Sequence, residues 1–264
     1  MTPEQLRALL EQVVAQAAAA GDLPEAATDG PPEGVLFRPT DPRNAGVVAD
    51  WVTPVAQRWS SRLGLEPREL ARVLAQGLTL EKPVAAVEVA PSGLIAITLE
   101  DSARADIVPI VLEEQDHYAL AAGERYRETT EVPGARTADD PVRAAQLAHA
   151  RLCRIVRNAE AVGVERRASA RLAELTHVSE RRLLVALADL PQRLEAHTGD
   201  PVQQQRAVTD LGALADTWGH PVRPELVGSR PHGVHGARLL LADATRIVLR
   251  NGLSRLGAAA PERM

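Results

Sequence analysis

Four arginines, Arg143, Arg151, Arg154 and Arg157, punctuate the run DPVRAAQLAHARLCRIVRNAEAVGV that starts at Asp140. At about 100° per residue they fall on one side of a helix. Val142, Ala145, Ala148, His149, Leu152, Ile155, Val156 and Ala159 fill an arc of about 140° on the other side. Such a row suits one chemistry: each guanidinium is a planar fork of donors that keeps its charge, the geometry that phosphate oxygens accept. Arg166, Arg167, Arg171, Arg181 and Arg182 follow closely in sequence. The competing reading is an ordinary solvated face, because all but one of the 30 basic residues are arginine, Lys82 being the exception. A phosphate-holding stripe also carries no base specificity by itself.

Other chemistries are poorly supplied. Cys153 is the single cysteine, which excludes an intramolecular disulfide and a multi-thiolate zinc site and fits a reducing compartment. His149 sits at the edge of the apolar arc, where a packed, hydrogen-bonded imidazole is expected rather than a catalytic one. No catalytic residue, metal site or cofactor is expected. The net charge of −5 argues against a surface that coats nucleic acid everywhere, yet it leaves room for one basic face. Phe37, Tyr118, Tyr126, Trp51, Trp59 and Trp218 are the only aromatics, so platforms for stacking bases are scarce.

The elements that must position the stripe follow from periodicity. Leu6, Leu9, Leu10, Val13, Val14 and Ala17 predict an amphipathic helix ending at Gly21. VLFRPTD reads as a short strand. From Val47 to Leu63 the spacing of Val48, Trp51, Val52, Val55, Trp59 and Leu63 is helical, with Pro54 kinking or splitting the run. Pro67 and Gly77 suit the two ends of the next helix. In VAAVEVAPSGLIAITL the period changes to two on either side of Ser92-Gly93, which predicts a β-hairpin. These elements make an α+β domain over residues 1–118, helices on a small antiparallel sheet. Residues 119–139 lack a sustained period and read as a linker.

Residues 140–264 show almost only helical patterns: about Pro141–Val162, Ala168–Leu175, Glu180–Ala196, Pro201–Trp218 and His235–Leu256. They predict an all-α bundle, so the chain is mainly α overall. The last helix is apolar around most of its circumference and should be largely buried, with Gly257 as its stop and AAAPERM running back over the bundle. No apolar run reaches membrane-spanning length, and the first helix has no basic start or cleavage site. A soluble, cytoplasmic chain is expected.

Taken together, these pieces resemble arginyl-tRNA synthetase without its catalytic domain. DPVRAAQLAHARLCRIV is similar to the helix that opens the family's anticodon-binding domain, named for an Asp-Ala-Leu-Arg motif, and Gln146, Ala148, His149, Ala150 and Arg151 match it position by position. Arg238, Leu239, Leu241, Leu256, Gly257, Ala260, Pro261, Glu262, Arg263 and Met264 match the end of those enzymes. The first half resembles, more loosely, the N-terminal additional domain that docks on the tRNA elbow, with Gly93, Leu94, Ile95 and Ala96 in place of its Gly-Phe-Ile-Asn stretch.

The departures are equally informative. A linker of about twenty residues cannot hold a nucleotide-binding domain. His232 and His235 have the separation of the His-Ile-Gly-His signature but not its order, and a loop or helix-start role is expected for them. With Lys82 the sole lysine, there is no equivalent of Lys-Met-Ser-Lys-Ser. Leu147 replaces the motif tyrosine, and Pro221 and Val222 replace an expected Phe-Tyr pair.

The resemblance therefore implies a non-catalytic protein that binds RNA, most simply tRNA, with arginine tRNA among the candidates, or another structured RNA. Its implied contacts are Arg143, Gln146, Arg151, Arg154, Arg157, Arg166, Arg167 and Trp218. A protein-interaction or scaffold module that has lost RNA, acting through a protein partner, is the alternative. A drastically shortened ligase is a third.

Overall fold

The computed structural model describes residues 1–40, 49–129, 137, 139–164, 168–220, 222 and 234–264, with backbone only for 168–170. The chain divides into two compact units, Met1–Arg104 and Ala105–Met264.

In the first unit, α1 (Pro3–Ala20) starts at a capping box in which Thr2 and Gln5 exchange side-chain and backbone bonds, and it ends at Gly21. Its buried face is Leu6, Leu10, Val13 and Val14. A four-stranded antiparallel sheet runs in the order β1 (Arg38–Pro39), β2 (Trp51–Thr53), β4 (Ile95–Leu99), β3 (Val84–Val89). β3 and β4 form the expected hairpin, with Val87 opposite Ile97 and Val89 opposite Ile95. Two helices, α2 (Val55–Leu63) and α3 (Pro67–Thr79), pack together, and Trp51, Trp59, Leu70, Leu74, Leu78, Ile95 and Ile97 are buried.

Two sequence expectations change here. Residues 41–48, where a helix was expected to begin, lie outside the described residues, and Trp51–Thr53 is a strand rather than helix. Thr53 precedes Pro54, whose ring disfavours helical backbone before it, and Trp51 and Val52 gain ladder partners in Ile97 and Ala96. Gly77 is not a helix stop. It lies inside α3, where a Cβ would approach Val13 Cγ1 to 2.3 Å, so glycine is there to let α1 come close.

A buried ion pair ties this unit together. Arg104, in the short helix α4 (Asp101–Ala105), donates to Asp50 through Nε at 2.8 Å and a terminal nitrogen at 2.9 Å. It also reaches Asp101 and the Leu99 carbonyl, while Asp50 accepts from the Leu99 amide at 2.8 Å.

The second unit is helical: α5 (Ile107–Glu114), α6 (Pro141–Ala161), α7 (Val178–Ala196), α8 (Pro201–Thr217) and α9 (Val234–Arg255), with a 3-10 turn over Ala168–Glu174. Asp140 caps α6, accepting from the Val142 amide, and Pro141 occupies its first turn. α6 packs on α8 and α9, and α7 packs on α8. As the sequence predicts, α9 is buried along most of its length and Gly257 closes it, with the Ala258 amide bonded to the Leu253 carbonyl. His235 lies in its first turn; His232 and Pro221 are outside the described residues.

The division falls ahead of the boundary expected at residue 118. Ile107, Val108 and Val111 are buried and α5 packs on α9, so these residues belong with the bundle. The chain after them is held to α9 as well. Asn251 donates to the carbonyls of Gln115 and Tyr118, Arg250 lies 4.3 Å over the Tyr126 ring, and Ser254 donates to the Arg127 carbonyl. The segment 119–127, expected to begin a linker, is thus irregular backbone laid on the terminal helix.

Helix α8 can approach α6 because residue 212 is glycine. A Cβ there would sit 2.8 Å from Ala145 Cβ and 2.9 Å from its Cα. Gly212→Ala is expected to cost about 1–3 kcal/mol through forced separation of the two helices, a loss measured by chemical denaturation.

Candidate nucleic-acid interface

The solvent-facing side of α6 supplies Leu147, Arg151, Arg154 and Arg157, three or four residues apart and therefore stacked along one face. Opposite them, the end of α8 contributes Asp216, and the tail after α9 contributes Glu262, Arg263 and Met264. Together these side chains and Ala150 line an open groove of about 330 Å³. Four guanidiniums face two carboxylates, so the groove carries a positive excess in a chain of negative net charge. Leu147 and Met264, 45% and 51% exposed, give it apolar ends.

The arginines are not equivalent. Arg154 is exposed. Arg151 donates to the carbonyls of Ala215 and Trp218, the latter at 3.0 Å, and so caps the last turn of α8, with Asp216 at 3.7 Å. Arg157, 38% exposed, donates twice to the Glu262 carbonyl at 3.3 Å and faces the Glu262 carboxylate at 3.7 Å. Solvent screens so exposed a pair, and a phosphate can replace it at little cost.

Beneath the tail, the Gln146 side-chain amide donates to the Ala259 carbonyl at 2.9 Å, and His149 Nδ1 donates to the Pro261 carbonyl at 3.0 Å. Burial is the main reason that the His149 pKa falls to about 4, with the Pro261 bond opposing the shift and Arg246 and Arg250 adding to it. Its other nitrogen lies 3.6 Å from Cys153 Sγ, and burial pushes that thiol's pKa up, so the pair is neutral and unreactive.

Burial of His149 makes stability depend on pH. An unfolded histidine takes up a proton near pH 6.5, whereas the folded one resists until about pH 4. The stability is therefore intact above pH 6.5 and is lost as the pH falls toward 4. The expected loss from His149 is about 2 kcal/mol at pH 5, and His149→Gln should abolish that part of the acid sensitivity in denaturant titrations at pH 7 and pH 5.

Of the residues expected to contact RNA, the structure brings Arg151, Arg154 and Arg157 together. Arg143 is half-buried on the same helix and does not line the groove. Gln146 is buried and engaged by the tail. Trp218 is 0% exposed, packed where α8 ends, so its ring is not an open platform for a base. Arg166 and Arg167 lie outside the described residues. Glu262, Arg263 and Met264 are groove residues that helical periodicity could not place, because the tail is not helical. Among the described residues no group of three His, Cys, Asp or Glu side chains could hold a metal, and no helix is long and apolar enough to cross a membrane.

Residues 145–264 match the family described as the DALR anticodon binding domain. Among curated proteins, the chain is 41% identical over 133 residues to an arginine–tRNA ligase of Frankia alni, covering 49% of this chain and 24% of that one. It is 38% identical over 165 residues to the arginine–tRNA ligase of Clavibacter sepedonicus, covering 60% and 30% respectively. The corresponding ligase of Kineococcus radiotolerans is 39% identical over 135 residues, covering 49% and 24%. The chain thus spans about a quarter to a third of the length of these relatives. All the groove residues, from Leu147 to Met264, lie inside the matched segment, so residues 145–264, which carry the groove, are similar to the DALR anticodon binding domain, and the chain is similar to the arginine–tRNA ligases.

Proposed function

We propose that this protein binds tRNA, or another structured RNA, without aminoacylating it, and that the phosphate backbone lies in the groove between α6 and the tail. The observation that carries this reading is the convergence of Arg151, Arg154, Arg157 and Arg263 on one open groove within the segment that matches the DALR anticodon binding domain. Phosphate contacts position an RNA without specifying sequence. With Trp218 buried and Leu147 where the motif tyrosine stands, base readout is weak. Arginine tRNA is the first RNA to try, since the relatives are arginine–tRNA ligases. The first unit, in this reading, corresponds to the family's N-terminal additional domain.

The non-catalytic part rests on the absence of a Lys-Met-Ser-Lys-Ser equivalent in a chain whose one lysine is Lys82, and on the lack of a His-Ile-Gly-His sequence. Arginine-dependent ATP–pyrophosphate exchange should be at background; activity above it would refute this part.

A second reading is a protein-interaction module. Gln146, His149 and Arg151 are all spent on carbonyls of the chain itself, which favours packing over ligand binding. Purification from the native host with and without nuclease separates the two: RNA-dependent recovery supports the first, and a nuclease-resistant protein partner supports the second.

A further inference from the structure

We propose that Gln146 and His149 are positioning residues for RNA binding, which act by clamping the tail that forms one wall of the groove. This inference rests on the RNA-binding reading above and assigns a job to residues that do not themselves reach the RNA.

The tail is extended and uses its carbonyls on α6. Ala259, Pro261 and Glu262 accept, in that order, from Gln146, His149 and Arg157, so the tail runs in the same direction as α6 along a single stripe of its surface. Gln146 and His149 are buried, at 6% and 1% exposure. Were the tail to lift away, their donors would lose these partners inside the bundle, a situation that folded proteins avoid. Pro261 adds stiffness, because its ring fixes the backbone at the middle of the clamped stretch. The clamp therefore sets where Arg263 and Met264 stand. Without it the groove loses a guanidinium and its apolar end, even though every α6 arginine remains.

This also explains why glutamine and histidine occupy positions 146 and 149 of a helix whose neighbouring inward residues are alanine, valine and leucine. An apolar side chain at either position could not donate to the Ala259 or Pro261 carbonyl.

A double-mutant cycle on the full chain tests the proposal, with Gln146→Leu, Arg263→Ala and their combination titrated against tRNA. If Gln146 acts through the tail, each single variant weakens binding roughly fivefold to tenfold, and the pair is no worse than either alone. The slope of log affinity against log salt should fall by about one unit in all three, reporting one lost phosphate contact. Cys153, the only thiol and buried on the same stripe, supplies a spectroscopic check, since its reaction with a disulfide reagent should accelerate in Gln146→Leu. If Gln146→Leu misfolds by circular dichroism, Pro261→Gly loosens the tail without touching the bundle and should give the same loss. Losses that multiply, or wild-type binding by the clamp variants, would overturn the proposal. Wild-type protein that fails to bind RNA at low salt would instead refute the RNA-binding reading itself.

Discussion

Arg154→Glu combined with Arg157→Glu is expected to weaken tRNA binding by roughly 100-fold at low salt, about tenfold for each charge reversed, and to flatten its salt dependence. Both side chains project from the outer face of α6, and the helix does not need them to fold. Its caps are Asp140 and Pro141, and its packing rests on Val142, Ala145, Ala148, Leu152 and Val156. The reversal also sets a carboxylate at position 157 against Glu262 in place of an attractive pair at 3.7 Å, so the groove turns net negative. Arg206→Glu is the matched control. That arginine is exposed on α8 and does not line the groove, so a charge reversal there should cost little. Equal losses per reversed charge at both places would mean that long-range charge, rather than this groove, governs association.

The second large effect is on stability. Asp50→Ala should destabilise the first unit by about 3–5 kcal/mol, measured by chemical denaturation at neutral pH. The Asp50 and Arg104 side chains are 5% and 1% exposed, and their bidentate contact is supported by the Leu99 amide and carbonyl. Removing the carboxylate strands a buried guanidinium whose remaining partners are Asp101 and one carbonyl. The cost is chiefly that of a buried charge left with only the half-exposed Asp101 to compensate it, and is no measure of what the pair contributes. Asp50→Leu combined with Arg104→Met should therefore recover much of the loss. If the double replacement is as unstable as the sum of the singles, the uncompensated-charge explanation fails.

Much of this molecule was legible in its sequence where periodicity and punctuation agree. The spacing of Leu6, Leu10, Val13 and Val14 before Gly21, and the helical runs expected over Pro141–Val162 and Pro201–Trp218, mark helices whose ends the structure reproduces to within a residue. The arginine stripe likewise follows from helical geometry alone. What escaped depends on contacts distant in sequence. Trp51 has the spacing of a helical residue, but a partner strand 46 positions later, at Ile97, makes it β. Gly77 looks like a stop until Val13 is found against it. The Asp50–Arg104 pair joins residues that no local pattern connects.

The candidate site divides the same way. Arg151, Arg154 and Arg157 were visible as a set, but that Arg151 caps α8 and that Trp218 is buried became visible only with the packing of α8 on α6. The tail was recognisable only through its resemblance to a known chain end, because extended residues carry no period. Its role as a wall of the groove follows from hydrogen bonds spanning over a hundred residues, from Gln146 to Ala259 and from His149 to Pro261.

The central claim, that RNA is held through its phosphates at this groove, is tested most directly by titrating tRNA against the whole chain over a range of salt concentrations. Micromolar or tighter binding at low salt, falling with a log–log slope of about −2 to −3.5 as two to four arginines release counterions, is the predicted result. No binding at low salt, or binding that salt leaves unchanged, would contradict it.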